Sequence, residues 1–144
     1  MKILVDADAC PVKDEIIKVA KEFEMKVIML IDTSHILDDD YAEIITVDKG
    51  RDSVDLALVN RIEDKDIVVT QDYGVATIAL SKNAYVINQN GLIFTDANID
   101  GLLFEREMAR KIRQTGRTCS KHKKRKKLDD ERFESIFRKL CKDA

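Results

Sequence analysis

The sequence predicts an α/β fold: a three-layer sandwich around a mainly parallel sheet, with a basic helical appendage at the C-terminal end. Three observations carry that expectation. Short apolar runs without polar alternation, such as Ile3-Leu4-Val5 and Ile67-Val68-Val69, suit strands buried on both faces, as parallel strands are. The stretches between such runs repeat apolar residues at three- and four-residue steps, the spacing of a helix lying on a sheet. These two strands also end in carboxylates, at Asp6-Ala7-Asp8 and Thr70-Gln71-Asp72. In open parallel sheets the loops beyond the carboxyl ends of the strands form the crevice where ligands bind.

A chain of 144 residues with 44% hydrophobic content can bury one proper core but not two. We expect an α/β domain over residues 1–116, with residues 117–144 forming a basic loop and a C-terminal helix packed on the same domain. No apolar run approaches the roughly 20 residues of a membrane-spanning helix, and Asp6 interrupts the start before a signal-peptide core could form. A cytoplasmic protein without a membrane partner is the expectation. Cys10, Cys119 and Cys141 are odd in number, widely spaced and lack a C-x-x-C pair, which points away from a disulfide framework or a zinc site. The net charge of -2 conceals a division: residues 1–104 carry 10 Lys+Arg against 20 Asp+Glu, whereas residues 105–144 carry 15 against 7. Such asymmetry suits a polyanionic partner, although a basic end can equally dock on its own acidic body or stay solvated.

Taken in order, residues 11–23 place Val12, Ile16, Val19, Ala20 and Phe23 on one helical stripe, opened by Pro11, which has no N–H to lose there. Lys13 falls in the first turn, either as a contact for an anionic substrate or as a solvated lysine. Residues 26–31 read as a second buried strand closing at Asp32-Thr33-Ser34-His35. Ser34 and His35 thus lie at a strand tip, where they could touch substrate; a lone loop histidine is also an ordinary surface residue. Asp38-Asp39-Asp40 lacks the alternate spacing and central glycine of a calcium loop. Residues 43–47 make a short strand and residues 52–62 a helix. On it Asp55 falls between Ile62 and Val59, in the arc that must face the core, where an ionised carboxylate is costly unless paired or bound to a metal. Asp52, a turn earlier, serves either that site or the positive end of the helix dipole.

Residues 66–72 repeat the opening theme, and Thr70 shares the side of Asp72, so its hydroxyl can bond a carboxylate or a phosphate. Gln89-Asn90-Gly91 between two apolar runs signals a hairpin and hence an antiparallel edge. A helix is expected from near Asn98, with Asp100 in its first turn and Ile99, Leu102 and Leu103 as anchors. Further along it, Arg106, Arg110 and Arg113 form a stripe about 10 Å long at 1.5 Å per residue, with Glu105 and Glu107 as alternative intrahelical partners. Gly116 should end that helix. Residues 117–127 carry seven Lys+Arg and no acid, after which Asp129 can cap a last helix that buries Phe133, Ile136, Phe137, Leu140 and Cys141. Arg117 and Lys121 within the basic loop could clamp phosphates, and a solvated charge run would read the same.

Asp6 and Asp8 point to one side of the chain, where two like charges repel unless a cation or basic group lies between them. A metal pair is one reading; Asp8 capping the next helix while Asp6 faces water is the other. There is no Gly-rich phosphate loop and no Ser-His-Asp order, which disfavours nucleotide-dependent transfer and serine-nucleophile chemistry. Cys10 near a helix N-terminus could gain nucleophilicity, but the adjacent carboxylates oppose it.

The series Val5-Asp6-Ala7-Asp8-Ala9-Cys10-Pro11, Ser34-His35, Gly50-Arg51-Asp52-Ser53-Val54-Asp55, Thr70-Gln71-Asp72 and Asn98-Ile99-Asp100, closed by the basic segment, resembles the YaiI/YqxD family of bacterial proteins. That family looks like a distant member of the PIN-like nuclease superfamily. The resemblance implies a PIN-like fold, Mg²⁺ or Mn²⁺ held by acidic residues, and cleavage of RNA, with single-stranded RNA as the expected partner. On this sequence the implied metal and catalytic acids are Asp6, Asp55 or Asp52, and Asp72, with Asp8 as an additional acid. Where family members carry a Gly-Pro-Lys-like element, this chain reads Cys119-Ser120-Lys121. Two hard cations held by such carboxylates can generate a hydroxide and stabilise the leaving oxygen in phosphodiester hydrolysis. Asp6-x-Asp8 also looks like the nucleophile and acid/base pair of haloacid-dehalogenase-type phosphatases, though Cys10 stands where Thr or Val is usual and no later Asp-Asp motif follows. A nonenzymatic RNA-binding protein is the third reading.

Overall fold

The computed structural model describes residues 1–8, 10–34, 37–50, 53–116 and 124–144. The candidates Asp52, His35, Arg117 and Lys121, and the Cys119-Ser120 stretch, lie outside the described residues. Strands β1 (Lys2–Asp6), β2 (Lys26–Asp32), β3 (Glu43–Val47), β4 (Ile67–Val69), β5 (Tyr85–Ile87) and β6 (Ile93–Phe94) join in the order β3-β2-β1-β4-β5-β6. Every pairing is parallel except β5 with β6. The antiparallel edge arises where the sequence signals a hairpin. Gly91 turns the chain at φ +87°, a backbone conformation that favours glycine; a Cβ there would also come within 2.7 Å of the mobile Cδ1 of Ile136.

The helices are α1 (Lys13–Glu22), α2 (Ser53–Val59), α3 (Tyr73–Ser81), α4 (Asp96–Gln114) and α5 (Lys127–Asp143). They form two layers because each strand is apolar on both faces. Ile3, Val5, Met29 and Val69 pack with Ile16 and Val19 of α1 and with Phe133 and Phe137 of α5. Leu4, Leu30, Val68 and Val86 pack with Leu58 of α2, Ala76 and Ala79 of α3 and Ile99 of α4. The result is the three-layer sandwich that the apolar runs imply. In α5 the rings of Phe133 and Phe137 stack at 5.2 Å between centroids, and both are fully buried. Each contributes roughly 1.5–3 kcal/mol of burial, enough to hold the helix against α1. Outside that seam, Arg138 of α5 grips Glu22 of α1 at 2.8 and 2.9 Å.

Helix ends depart from the sequence expectation in consistent ways. Helix α1 begins at Lys13 behind Val12, so Pro11 lies in the preceding turn and the helix starts one turn beyond Asp8 rather than on it. Helix α4 starts at Asp96, two residues before Asn98. Thr95 is its N-cap, and Asn98 completes a capping box by accepting from the Thr95 N–H at 2.8 Å while its own N–H reaches Thr95 Oγ1 at 3.2 Å. Asp129 does not cap α5; it sits within the first turn and accepts from the Lys126 N–H at 2.8 Å. Helix α2 stops at Val59, and tight bonds from Arg61 N to Leu58 O and from Ile62 N to Val59 O close its end. Gly116, at φ +80°, ends α4 as expected.

The strand order positions the site. The chain lays β2 beside β1 on one side and later returns to place β4 on the other. Connections therefore diverge between β1 and β4, leaving an open crevice at their carboxyl ends. The opposite end of the sheet is closed by Asp66, which is buried and accepts from Lys2 Nζ at 2.6 Å, Lys2 N at 3.1 Å and Glu63 N at 2.8 Å.

Candidate functional site

The two-residue period of a strand decides which side chains enter the crevice. On β1, Leu4 faces the α2/α3/α4 layer, so Asp6 does too; on β2 the same face runs through Ile28 and Leu30 to Asp32. From above, α2 contributes Asp55. Asp6, Asp8, Asp32 and Asp55, with Gly50 and Ser53, line one cavity of about 200 Å³. A smaller hollow of about 40 Å³ adjoins it and shares Asp6 and Asp8, with Cys10, Thr70 and Gln89 among its other walls.

This crowding has an electrostatic cost. The Asp6 carboxyl is pushed up to about 6, first by burial, then by the charges of Asp55 and Asp8, and least by that of Asp72. Thr70 works the other way: its hydroxyl donates to Asp6 Oδ2 at 3.4 Å and stabilises the ionised form. The same Oγ accepts from the Asp72 N–H at 3.1 Å, so Thr70 ties the tips of β1 and β4 together.

The sequence candidates separate into groups. Asp6, Asp8 and Asp55 are brought to one cavity. Asp72 stands beside them as the N-cap of α3, accepting from Val75 N at 3.0 Å. Ser34 is bound back to Asp32 through both its N–H, at 2.8 Å, and its hydroxyl. Lys13 opens α1, half-buried, and its charge reaches the Cys10 thiol. Even so, burial pushes that thiol up, with the Val12 N–H and Lys13 offsetting only part of the effect, so Cys10 is not activated as a nucleophile. The arginine stripe is divided. Arg110 is held by Glu107 at 2.5 and 3.1 Å, the intrahelical alternative; Arg106 lies 5.4 Å from the Tyr73 ring centroid; Arg113 is exposed near the end of α4.

The carboxylates ring the cavity rather than converge on a point. Among the described residues, no three His, Cys, Asp or Glu side chains are grouped closely enough to hold a metal ion. Among the site members that the sequence reading did not single out are Asp32 and Gln89. Asp32 was legible in principle, because Ile28, Leu30 and Asp32 alternate onto one face; Gln89 was not, because only the hairpin's placement brings it to the wall.

Comparison with known sequences agrees with the resemblance. The family model described as "Uncharacterized BCR, YaiI/YqxD family" matches residues 4–143. A UPF0178 protein of Ruminiclostridium cellulolyticum is 61% identical over 137 residues, covering 95% of this chain and 90% of its own. That of Alkaliphilus oremlandii is 58% identical over 137 residues, covering 95% and 88%, and that of Natranaerobius thermophilus is 51% identical over 140 residues, covering 97% and 95%. No solved structure matches the chain. With nearly its whole length matched and the acidic strand tips in place, the chain belongs to the YaiI/YqxD family.

Proposed function

We propose that the protein is a divalent-metal-dependent nuclease that hydrolyses phosphodiesters of single-stranded RNA at the Asp6 cavity. One observation carries this reading: Asp6 shares a cavity with Asp8, Asp32 and Asp55, and its carboxyl is pushed up to about 6 by burial and by the charges of Asp55 and Asp8. A fold that gathers like charges at the sheet's switch point favours a cationic occupant. The donor set fits Mg²⁺ or Mn²⁺, because all four side chains offer hard oxygen ligands and the cavity leaves room for retained water. Because the carboxylates ring the cavity rather than meet at a point, Asp6, Asp8 and Asp55 would reach the ion largely through retained waters, with Asp32 and Asp72 as further acids at its edge. When bound, it supplies an activated water and shields the charge that develops on the leaving oxygen.

The chain's own groups orient this centre. Thr70 aims the Asp6 carboxylate, and Asp72 is itself held by the Val75 N–H at the start of α3. A Cβ at residue 74 would meet Asp72 Oδ1 at 3.0 Å, so glycine there leaves the carboxylate its place. Lys13, whose charge reaches the Cys10 thiol in the wall of the smaller hollow, would balance the charge of an approaching phosphate. The PIN-like relationship implied by the motif series supports RNA as substrate, since that superfamily uses the same class of acidic centre.

The test is cleavage of a labelled RNA by the purified protein with Mn²⁺, beside a chromogenic phosphomonoester and the Asp6→Asn variant. The nuclease reading expects cleavage of RNA alone, lost in Asp6→Asn while the circular-dichroism spectrum is unchanged. Turnover of the monoester alone overturns it in favour of an aspartyl-phosphate phosphatase using Asp6 and Asp8.

A further inference from the structure

A second hollow, of about 720 Å³, opens between the β5–β6 loop and the start of α5. Lys124, Arg125, Lys126 and Arg132, with Leu128 and Asp129, line it on one side and Gln89 and Asn90 on the other. Gln89 also lines the small hollow that contains Asp6, Asp8 and Thr70. The basic groove and the acidic site therefore share a wall. That wall is braced: Arg125 donates to Gln89 O at 2.7 Å and to Asn90 Oδ1 at 2.9 Å, and pairs with Asp130 at 2.5 Å. Gly91 of the same loop lies beside Ile136 of α5, close enough that an added Cβ would meet its side chain.

The cations of the groove are not equally committed. Arg125 is used structurally, as its three partners show. Asp129 is engaged by the Lys126 N–H and lies 4.0 Å from Arg132, a distance at which an exposed pair gains little. Lys124, Lys126 and Arg132 are exposed on the groove. An acidic cavity repels the phosphates of its own substrate on either side of the reacting one, so a chain of phosphates needs a positive surface next to it. A concave groove suits a single extended strand rather than the plane of a membrane surface.

We propose that this groove is a phosphate subsite for a single-stranded oligonucleotide whose chain continues out of the acidic cavity past Gln89. The proposal rests on the reading of that cavity as the reacting centre, and it makes the substrate an oligonucleotide rather than a mononucleotide or a small phosphoester.

Binding of fluorescent single-stranded RNA is measured by anisotropy with chelator present, so that cleavage plays no part. The full-length protein is compared with Lys124→Gln/Lys126→Gln/Arg132→Gln and with Lys139→Gln, on the same helix but away from the groove. The expected result is tighter binding of a 12-mer than of a dinucleotide. In the triple variant 12-mer affinity should fall about tenfold or more, and the slope of log affinity against log salt should shrink by about 2, since each phosphate contact on a single strand contributes roughly 0.7. Lys139→Gln should bind as the unmodified chain does. Far-ultraviolet circular dichroism confirms that the triple variant is folded. Unchanged affinity and slope in the triple variant overturn the subsite, as does equal affinity for dinucleotide and 12-mer, or binding to phosphatidylserine vesicles but not to RNA. If groove binding persists while Mn²⁺-dependent cleavage is absent, the reading of the acidic cavity is lost and the groove remains.

Discussion

At Asp6 the electrostatic cost of the strand-tip cavity falls on a single side chain. Its carboxyl moves from 3.8 to about 6 because burial and the Asp55 and Asp8 charges oppose ionisation in the folded chain only. For an acid with a raised folded pKa, the native state keeps its proton between those two values while the unfolded chain has released it. Stability must therefore fall as pH rises from about 4 to about 6, and stay lowered above. Two pH units correspond to about 3 kcal/mol, an upper bound for a partly exposed group. Denaturant unfolding followed across pH 4–7 should show this decline, and Asp6→Asn should remove it and raise stability at pH 7. An Asp6→Asn protein with the same pH profile as the parent would show that the charge crowding is relaxed in solution. Lys2 and Asp66 illustrate the contrasting case: a buried carboxylate with a lysine and two backbone donors is satisfied, and nothing in it asks for a ligand.

Among the elements, α5 ties the basic end of the chain to the α/β body. Its apolar face supplies Phe133, Phe137, Leu140 and Cys141 to the same core cluster as β1 and α1, and burial pushes the Cys141 thiol up to about 12. Truncating Phe137 to Ala removes a fully buried ring and its stacked partner contact, so stability should drop by about 3–5 kcal/mol. The measurement is the shift of the denaturant midpoint at constant slope. A loss below about 1 kcal/mol would mean that α5 packs only loosely in solution. Element ends were less legible than elements. Two of the misplaced boundaries involve a polar residue that can act either as N-cap or three residues inside: Asn98 and Asp129 both take the inner role, because Thr95 and Lys126 stand where the backbone leaves the preceding strand or loop. Local sequence offers both registers, and packing of Ile99 or Phe133 into the core chooses one.

For the whole molecule, the acidic crevice and the basic groove meet at the carboxyl edge of the sheet. If the crevice takes a divalent cation, binding to the native state alone must stabilise the fold by mass action, about 2.7 kcal/mol at 100 times the dissociation constant. A thermal melt at pH 7 should move upward with Mn²⁺ concentration. The gain should fade as pH falls through about 6, where protons compete for Asp6, and should be smaller in Asp6→Asn. A melting temperature indifferent to millimolar Mn²⁺ at pH 7 would remove the metal from the proposed chemistry.

What the sequence by itself determined is the type and order of the elements. Runs such as Ile3-Leu4-Val5 and Ile67-Val68-Val69 can be satisfied only by burial on two faces, and Asn90-Gly91 permits the tight return that makes an antiparallel edge. The same local signals put Asp6, Asp8 and Asp72 at strand tips. Only the tertiary structure decided which charges meet. Asp32 joins the cavity because β2 lies next to β1 in a register that sets Asp6 opposite Leu30; Arg106 meets the Tyr73 ring because α4 packs beside α3. Gln89 becomes the wall between acid and base because Arg125, 36 residues away in the chain, bonds its carbonyl. The physical reason is range: burial and turn preferences act over a few residues and can be read in order along a chain. Electrostatic neighbours are set by strand order and face, which close contacts between segments tens of residues apart.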